Sequence, residues 1–192
     1  MITPGFPETQ RKRAAQLYWQ AFKGKLNPLM GPDPKALAFF ERVLDPDHAI
    51  SALAPDGTLL GIAGFKTAKG AFVGGTLSDL AQTYGWLGTL WRAPLLSLLE
   101  RDLAEDILLM DGICVSDHAR GQGIGTKLLN AIKAQAHTRN LSQVRLDVIN
   151  TNPHARALYE RQGFTPGEIQ HLGPLRHLFG FKSATTMIWQ TP

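Results

Sequence analysis

Arg120-Gly121-Gln122-Gly123-Ile124-Gly125-Thr126 lies between an apolar run that predicts a strand, Ile107–Val115, and an amphipathic stretch that predicts a helix over residues 126–140. Three glycines at alternate positions let the backbone bend tightly and turn its N–H groups to one side. The helix that follows adds unpaired N–H groups and the positive end of its dipole. This segment, called the glycine turn below, therefore predicts a phosphate or diphosphate site. The glycines alone are equally compatible with a plain strand-to-helix connection.

Two other phosphate-binding motifs fit the glycine turn less well. A Walker A loop ends in Gly-Lys-Ser/Thr, whereas the order here is Gly125-Thr126-Lys127. A dinucleotide fingerprint has a third glycine where Thr126 stands, although Asp147 at the end of the next predicted strand would suit a ribose. About one further strand follows, too few for a doubly wound sheet. A nucleotide-binding oxidoreductase is therefore the least favoured hypothesis for the function of this chain.

A second motif follows the next predicted strand, Gln143–Ile149, and reads Asn152-Pro153-His154-Ala155-Arg156-Ala157-Leu158-Tyr159-Glu160-Arg161-Gln162-Gly163-Phe164. Asn152 suits a helix N-cap, Pro153 the first helical position and Gly163 the residue just past the end. Tyr159 shares one helix face with Ala155 and Leu158. From the residues alone, Tyr159 is a core tyrosine with a satisfied hydroxyl.

Together these segments resemble the GNAT superfamily of N-acetyltransferases. The family signature Arg/Gln-x-x-Gly-x-Gly/Ala is met by Arg120, Gly123 and Gly125, and the second motif is similar to N-x-x-A-x-x-L-Y-E-x-x-G-F. The close match covers roughly residues 107–164. It implies an α/β fold with a mixed central sheet flanked by helices, in a single domain over residues 1–192. A helical insertion at about residues 76–104 would precede the central strand, and the family's first strand is in doubt because Pro4 and Gly5 lie where it belongs.

The resemblance also implies an activity, the direct transfer of an acetyl group from acetyl-CoA to an amine in a ternary complex. The predicted diphosphate site comprises Arg120, Gly121, Gln122, Gly123, Ile124, Gly125 and Thr126. The predicted pantetheine edge comprises Ile113, Cys114 and Val115, where two parallel strands splay apart, with Gly112 placed to form a bulge. Asn152 is assigned to the cofactor site as well. Tyr159 corresponds to the family's tyrosine that commonly protonates the departing CoA thiolate.

Asp111 is the candidate general base that takes the proton of the acceptor amine. It alternates with Ile113 and Val115, so the strand period predicts that all three share one face. An equally open alternative is that Asp111 binds the acceptor's positive charge or caps a neighbouring element. Cys114 is interpreted as a small buried hydrophobic residue, not a nucleophile.

Composition limits the classes of function. The chain has 192 residues, a formal net charge of +4 and one cysteine, which excludes an internal disulfide framework and a cysteine-based zinc site. No basic run is long enough to predict nucleic-acid binding, and no metal is expected. Residues 1–10 lack the apolar core of a signal peptide, so a cytoplasmic location is expected.

The remaining elements are predicted from apolar spacing and turn residues. A helix over residues 7–22 is expected to stop at Gly24 and Asn27-Pro28, and Pro34 opens a second helix. Residues 48–54 and 59–65 predict an antiparallel hairpin, residues 184–189 a final strand, and residues 170–181 a loop.

Residues 76–103 are rich in leucine and tryptophan. Arg92 and Pro94 interrupt the apolar run, so a membrane-spanning helix is disfavoured, and a pair of helices covering one edge of the core is the plainest interpretation. Two more specific interpretations are a lid over the acceptor site and a homodimer surface. A peripheral membrane contact is weaker because the stretch lacks a Lys/Arg-rich face.

A non-catalytic acyl-CoA-binding module on the same fold is the main alternative function, because a fold does not guarantee chemistry. The candidate acid and base, Tyr159 and Asp111, favour the enzyme. The sequence does not identify the amine acceptor.

Overall fold

A mixed sheet of eight strands forms the centre of the computed structural model, which describes residues 1–98 and 104–192. The strands are β1 Ile2–Pro4, β2 Ala49–Leu53, β3 Leu59–Thr67, β4 Gly70–Ala71, β5 Ile107–Val115, β6 Gln143–Ile149, β7 Thr165–His171 and β8 Ser183–Gln190. They are ordered β1-β2-β3-β5-β6-β8-β7, with β4 paired to β3. Only β5 and β6 pair in parallel among these described strands. The predicted fold class is confirmed.

Helices cover both faces of this sheet. They are α1 Arg11–Met30, α2 Asp33–Val43, α3 Leu77–Ser97, α4 Ile124–Thr138, α5 Pro153–Arg161 and α6 Arg176–Phe179. Buried side chains of α1, α2 and α3 form a core on one face, together with Cys114 of β5. Those of α4 and α5 form a second core on the other face, together with Met110 of the same strand. The sheet therefore separates two apolar layers, and β5 contributes to both.

Helix α1 is longer than the sequence pattern predicts. It passes through Gly24 and Asn27-Pro28 and ends before Gly31, so the predicted stop was wrong. Leu29 and Met30, the last residues of the helix, are fully buried. Proline removes one internal hydrogen bond, and the burial of two large apolar side chains in the final turn offsets that cost.

One end of the sheet answers a question that the sequence left open, and the other end corrects a prediction. A short first strand exists, because Ile2–Pro4 pairs antiparallel with β2. The expected loop over residues 170–181 is wrong at both ends, since β7 runs to His171 and α6 begins at Arg176. All seven residues of β7 are exposed, so this edge strand has no apolar alternation by which it could have been predicted.

Helix α3 occupies most of the leucine-rich stretch. Thr76 caps it by accepting from the Asp79 backbone N–H at 3.2 Å, and the Asp79 carboxylate accepts from the Thr76 N–H at 2.8 Å. Gly85 has non-helical angles (φ 74°, ψ 162°), so the chain is helical on both sides of a kink. The predicted pair of helices is confirmed over residues 77–97, while residues 99–103 lie outside the described residues.

Candidate active site

Strands β5 and β6 separate part-way along their length. They pair in parallel from Ile107 opposite Gln143 to Leu109 opposite Arg145. Beyond that point β5 continues beside β3, and β6 continues beside β8. The predicted splay is confirmed, and it leaves a gap beside residues 111–115.

Successive residues of β5 direct their N–H and C=O groups alternately toward β3 and toward the gap. The Ser116 N–H donates to the Leu60 carbonyl at 2.9 Å, and Cys114 lies two residues earlier, opposite Ile62. Because polar groups alternate along an antiparallel pair, Cys114 directs its N–H and C=O toward β3. Ile113 and Val115 direct theirs toward the gap. Two of the three predicted edge residues therefore present backbone groups there.

A β-bulge reorients Asp111. Gly64 of β3 faces Gly112 and Phe65 faces Met110, so Asp111 is the extra residue on β5. Met110 and Ile113 contact the core beneath α4, whereas the Asp111 carboxylate turns to the opposite face. The prediction that Asp111 shares a face with Ile113 and Val115 was wrong, because a bulge breaks the two-residue alternation. The bulge itself was expected at Gly112.

The Asp111 carboxylate lies in a mostly apolar environment. Burial raises its pKa, and this effect is partly opposed by a hydrogen bond from the Val73 N–H at 3.3 Å and by the nearby charge of Lys66. A carboxylate whose pKa moves toward neutrality accepts a proton more readily from an amine. The position and the electrostatics therefore suit either a general base or a binding site for a positive charge.

The glycine turn has the backbone that the sequence predicted. Gly121 (φ 77°) and Gly123 (φ 74°) are left-handed, and Gly123 is the N-cap of α4. The Lys127 N–H donates to the Gly123 carbonyl at 3.1 Å. The amides of residues 124–126 precede it in the first turn, where the helix itself supplies no acceptor. These amides and the helix dipole form a potential anion site.

Side chains hold the glycine turn in place. The Gln122 amide donates to the His118 carbonyl at 3.1 Å, and the Arg120 guanidinium pairs with Asp117 at 2.8 Å. The Ile124 side chain, in the first turn of α4, is buried in the core, so only its backbone is available to a ligand. Leu158 of α5 would lie 3.2 Å from a Cβ at Gly125, which shows how closely the two helices approach.

Helix α5 begins and ends as predicted. The Asn152 side chain accepts from the Ala155 N–H at 3.1 Å, Pro153 is the first helical residue, and Gly163 (φ 79°) follows the last turn. Tyr159 is buried, and burial raises the pKa of its phenol well above the ordinary value, with a further contribution from nearby Cys114. The hydroxyl therefore stays protonated at neutral pH and can serve as an acid.

Residues of both motifs line one cavity of about 1090 Å³. The predicted site residues in its lining are Asp111, Ile113, Cys114, Val115, Arg120, Gly125, Asn152 and Tyr159. The others lie beside it on the turn and the start of α4, and they are Gly121, Gln122, Gly123, Ile124 and Thr126. Burial raises the pKa of the Cys114 thiol to about 12, which fits its interpretation as an inert core residue.

Residues of α1, α2 and α3 also line this cavity. We call this part the helical chamber, and its lining includes Tyr18, Phe22, Phe39, Phe40, Leu77 and Leu80. Sequence reasoning assigned the side chains of α1 and α2 to the apolar faces of amphipathic helices. Helical spacing does not distinguish a side chain that fills a core from one that also borders a cavity.

The comparisons with known proteins agree with this geometry. The model of the acetyltransferase (GNAT) family matches residues 11–164. The chain belongs to the acetyltransferase (GNAT) family. No curated protein sequence matches this GNAT-family chain.

Solved structures share its fold. An N-acetyltransferase from Staphylococcus aureus Mu50 is 14% identical with a TM-score of 0.67, and the match covers 98% of this chain and 100% of that one. The ribosomal-protein-S18-alanine N-acetyltransferase from Escherichia coli is 15% identical, with coverage of 100% and 93% and a TM-score of 0.59. A phosphinothricin acetyltransferase from Sinorhizobium meliloti, in complex with AcCoA, is 14% identical, with coverage of 100% and 88% and a TM-score of 0.61.

Two further observations concern the described residues. None of their helices is long and apolar enough to cross a membrane. None of their His, Cys, Asp and Glu side chains form a group of three or more that could hold a metal ion.

Proposed function

We propose that this GNAT-family protein is an acetyl-CoA-dependent N-acetyltransferase that transfers the acetyl group directly to an amine. The observation that carries the proposal is the single cavity into which the gap, Tyr159 and Asp111 all open. A diphosphate at the first turn of α4 and a thioester beside β5 would fit the spacing of the two motifs. Family membership supports acetyl transfer in general, and the roles of individual residues are our proposal.

Backbone groups would hold the cofactor. The amides of the glycine turn and of residues 124–126 would bind the diphosphate, with Arg120 adding positive charge. Pantetheine carries amide groups and can pair with the N–H and C=O groups of Ile113 and Val115 as an added strand. One of these N–H groups would polarise the thioester carbonyl and stabilise the developing oxyanion.

The proposed reaction needs one base and one acid. Acetyl-CoA supplies an activated acyl group. The amine nitrogen bonds to the carbonyl carbon, and its proton passes to Asp111, directly or through water. As the carbon–sulfur bond breaks, Tyr159 donates its proton to the leaving sulfur, which gives the amide and free CoA thiol. Proton return from Asp111 to Tyr159 through solvent completes the cycle.

The competing function is a non-catalytic acyl-CoA-binding module. Two measurements separate it from the enzyme: the thermal shift caused by CoA, and the release of free thiol from acetyl-CoA with a panel of primary amines. We expect CoA to raise the melting temperature and at least one amine to release thiol. Protection by CoA without thiol release from any amine would favour the binding module, and protection by NAD but not CoA would contradict both.

We also propose that α3 is a homodimer surface. Trp86, Leu87, Leu90 and Trp91 are 69%, 83%, 70% and 45% exposed and cluster at helical spacing. They expose several hundred Å² of apolar surface, a large share of the roughly 800 Å² per partner that a stable interface buries. Arg92, the one basic residue within Leu77–Ser97, turns inward and donates to the Leu29 carbonyl at 2.6 Å, so the described residues of α3 present no basic rim for anionic lipids.

The dimer is tested by sedimentation equilibrium of the protein and of Leu87→Glu. We expect a dimer that the substitution converts to a monomer with an unchanged melting profile. A monomeric parent protein, or one that sediments with phosphatidylcholine vesicles, would contradict the dimer. The predicted cytoplasmic location stays a prediction.

A further inference from the structure

Aromatic rings form one wall of the helical chamber. The ring centroids of Tyr18 and Phe22 are 4.5 Å apart, and those of Tyr18 and Phe40 are 4.9 Å apart. Phe39 extends the series, with its centroid 5.5 Å from that of Phe40. We call these four residues the aromatic wall. All four border the cavity, and Phe22 is the half-buried one among three buried rings, so an occupant of the chamber has the Phe22 ring as its main aromatic contact.

Phe22 connects the aromatic wall to the proposed reaction centre. A Cβ built on Gly112 would lie 2.3 Å from Phe22 Cζ, so the ring packs directly on the bulge of β5. The next residue toward the N-terminus is Asp111, and the next toward the C-terminus is Ile113. A molecule that places a nitrogen beside the Asp111 carboxylate therefore has the Phe22 ring as an immediate neighbour.

Among the described residues, the charged side chains that line the cavity are basic at Lys25, Lys66 and Arg120 and acidic at Asp111 and Asp147. Of the described residues that line it, two are carboxylates, Asp111 on β5 and Asp147 on β6. The Asp147 carboxylate accepts from the Thr186 hydroxyl of β8 at 2.8 Å. A ligand with one ammonium group needs one carboxylate, and Asp111 supplies it. A polyamine or polycationic sugar would bring further positive charges close to Lys25, Lys66 and Arg120, with Asp147 as the one other carboxylate of the described lining.

We propose that the acceptor is a small primary amine on an aromatic or branched apolar body, with its nitrogen at Asp111 and its body against the aromatic wall. This inference rests on the proposed acetyl transfer and adds the class of substrate. Specificity would come from apolar contact with Phe22, Tyr18 and Phe40. A hydrophobic pocket discriminates by roughly 10–200-fold per missing apolar group.

The test compares kcat/KM for 2-phenylethylamine, propylamine and spermidine, measured as thiol release from acetyl-CoA by the full chain. We expect 2-phenylethylamine to exceed each of the other two by about tenfold or more. A second readout is the further thermal shift that 2-phenylethylamine causes on the CoA-saturated protein. Equal or better turnover of spermidine overturns the inference, and so does the lack of both turnover and thermal shift with 2-phenylethylamine.

Substitutions of Phe22 test whether this ring causes the preference for 2-phenylethylamine. Phe22→Leu and Phe22→Ala should reduce the ratio of kcat/KM for 2-phenylethylamine to that for propylamine, by about tenfold for alanine. Phe65→Leu is the matched control, because Phe65 is fully buried in the core on the opposite face of the sheet. It should lower the melting temperature and leave the ratio unchanged. An unchanged ratio in both Phe22 variants would contradict the inference.

The outcomes also separate this inference from the proposed function. Loss of CoA binding by the parent protein would remove the acetyltransferase proposal itself. CoA protection together with a preference for polycationic amines would leave acetyl transfer intact and remove only the apolar acceptor.

Discussion

Around the glycine turn and β5, the groups proposed to hold the cofactor are mostly backbone amides, whereas the residues of α1 and α2 that line the cavity include four aromatic side chains. The first set depends on backbone conformation, namely two left-handed glycines, a helix N-terminus and a strand edge. The second depends on which side chains stand on ordinary helices. We infer that single substitutions change acceptor choice easily and that cofactor binding is lost only when the backbone changes.

The largest effect is expected at Gly123. Its φ of 74° strains any β-branched residue, and a Cβ there projects into open space before the first turn of α4, where the diphosphate is proposed to bind. Gly123→Val should therefore make CoA binding undetectable by calorimetry. Gly57→Val is the matched control, since Gly57 has φ 83° and equally open surroundings in the β2–β3 turn. It should cost similar stability and keep CoA affinity, and equal losses of affinity in both variants would refute backbone recognition at the turn.

Tyr159→Phe should have the next largest effect. The ring would keep its packing against Phe164, with centroids 6.0 Å apart, while the acid for the leaving thiolate is removed. We expect kcat to fall about 10³-fold and the CoA dissociation constant to stay within about twofold. Tyr84→Phe, which removes a buried hydroxyl that donates to the Met30 carbonyl, should lower stability and not kcat. Parallel losses of kcat and CoA affinity would make Tyr159 a packing residue.

Asp111→Asn should lower kcat/KM by about 100-fold and remove the acidic limb of its pH profile. It also makes a stability prediction with a definite sign. Because burial raises the pKa of Asp111 above 3.8, its stabilising contribution is present below the unfolded pKa and is lost as the pH rises through the folded pKa.

The Asn variant should therefore melt at a higher temperature than the parent at pH 7, and the difference should shrink toward pH 4. Asp106→Asn, at an exposed site, should show neither effect. An unchanged pH profile in Asp111→Asn would exclude Asp111 as the base.

The smallest effect is expected at Asn152, which distinguishes a cap from a cofactor ligand. Asn152→Ala should cost about 1 kcal/mol of unfolding free energy, because the Ala155 N–H loses its partner. Asn152→Asp keeps the cap and adds a negative charge at the cavity edge, so stability should hold while CoA affinity falls several-fold. Unchanged affinity in the aspartate variant would restrict Asn152 to capping.

Sequence reasoning closely predicted the elements around the proposed cofactor site. Ile107–Val115 and Gln143–Ile149 have the predicted bounds, and Asn152, Pro153 and Gly163 take the predicted positions on α5. These features follow from local rules, namely apolar runs, caps and glycine φ angles. The side of the sheet on which the Asp111 carboxylate lies could not be predicted. It depends on the pairing of β5 with Gly64 and Phe65, which are distant in sequence.

The helices that form the chamber were less predictable for a related reason. Leu29 and Met30 extend α1 past Pro28 because tertiary burial outweighs local helix propensity. Tyr18 and Phe22 follow the helical period of a core face, and only the relative placement of α1, α2 and β5 makes them border a cavity.

The central claim is that coenzyme A lies across the glycine turn and along the open edge of β5. Amide hydrogen exchange with and without CoA, resolved at single residues, tests it most directly. We predict slower exchange at Gly121, Gly123 and residues 124–126 and also at Ile113 and Val115, with Cys114 unchanged because its N–H points toward β3. Protection confined to other segments, or no protection at saturating CoA, would contradict the account.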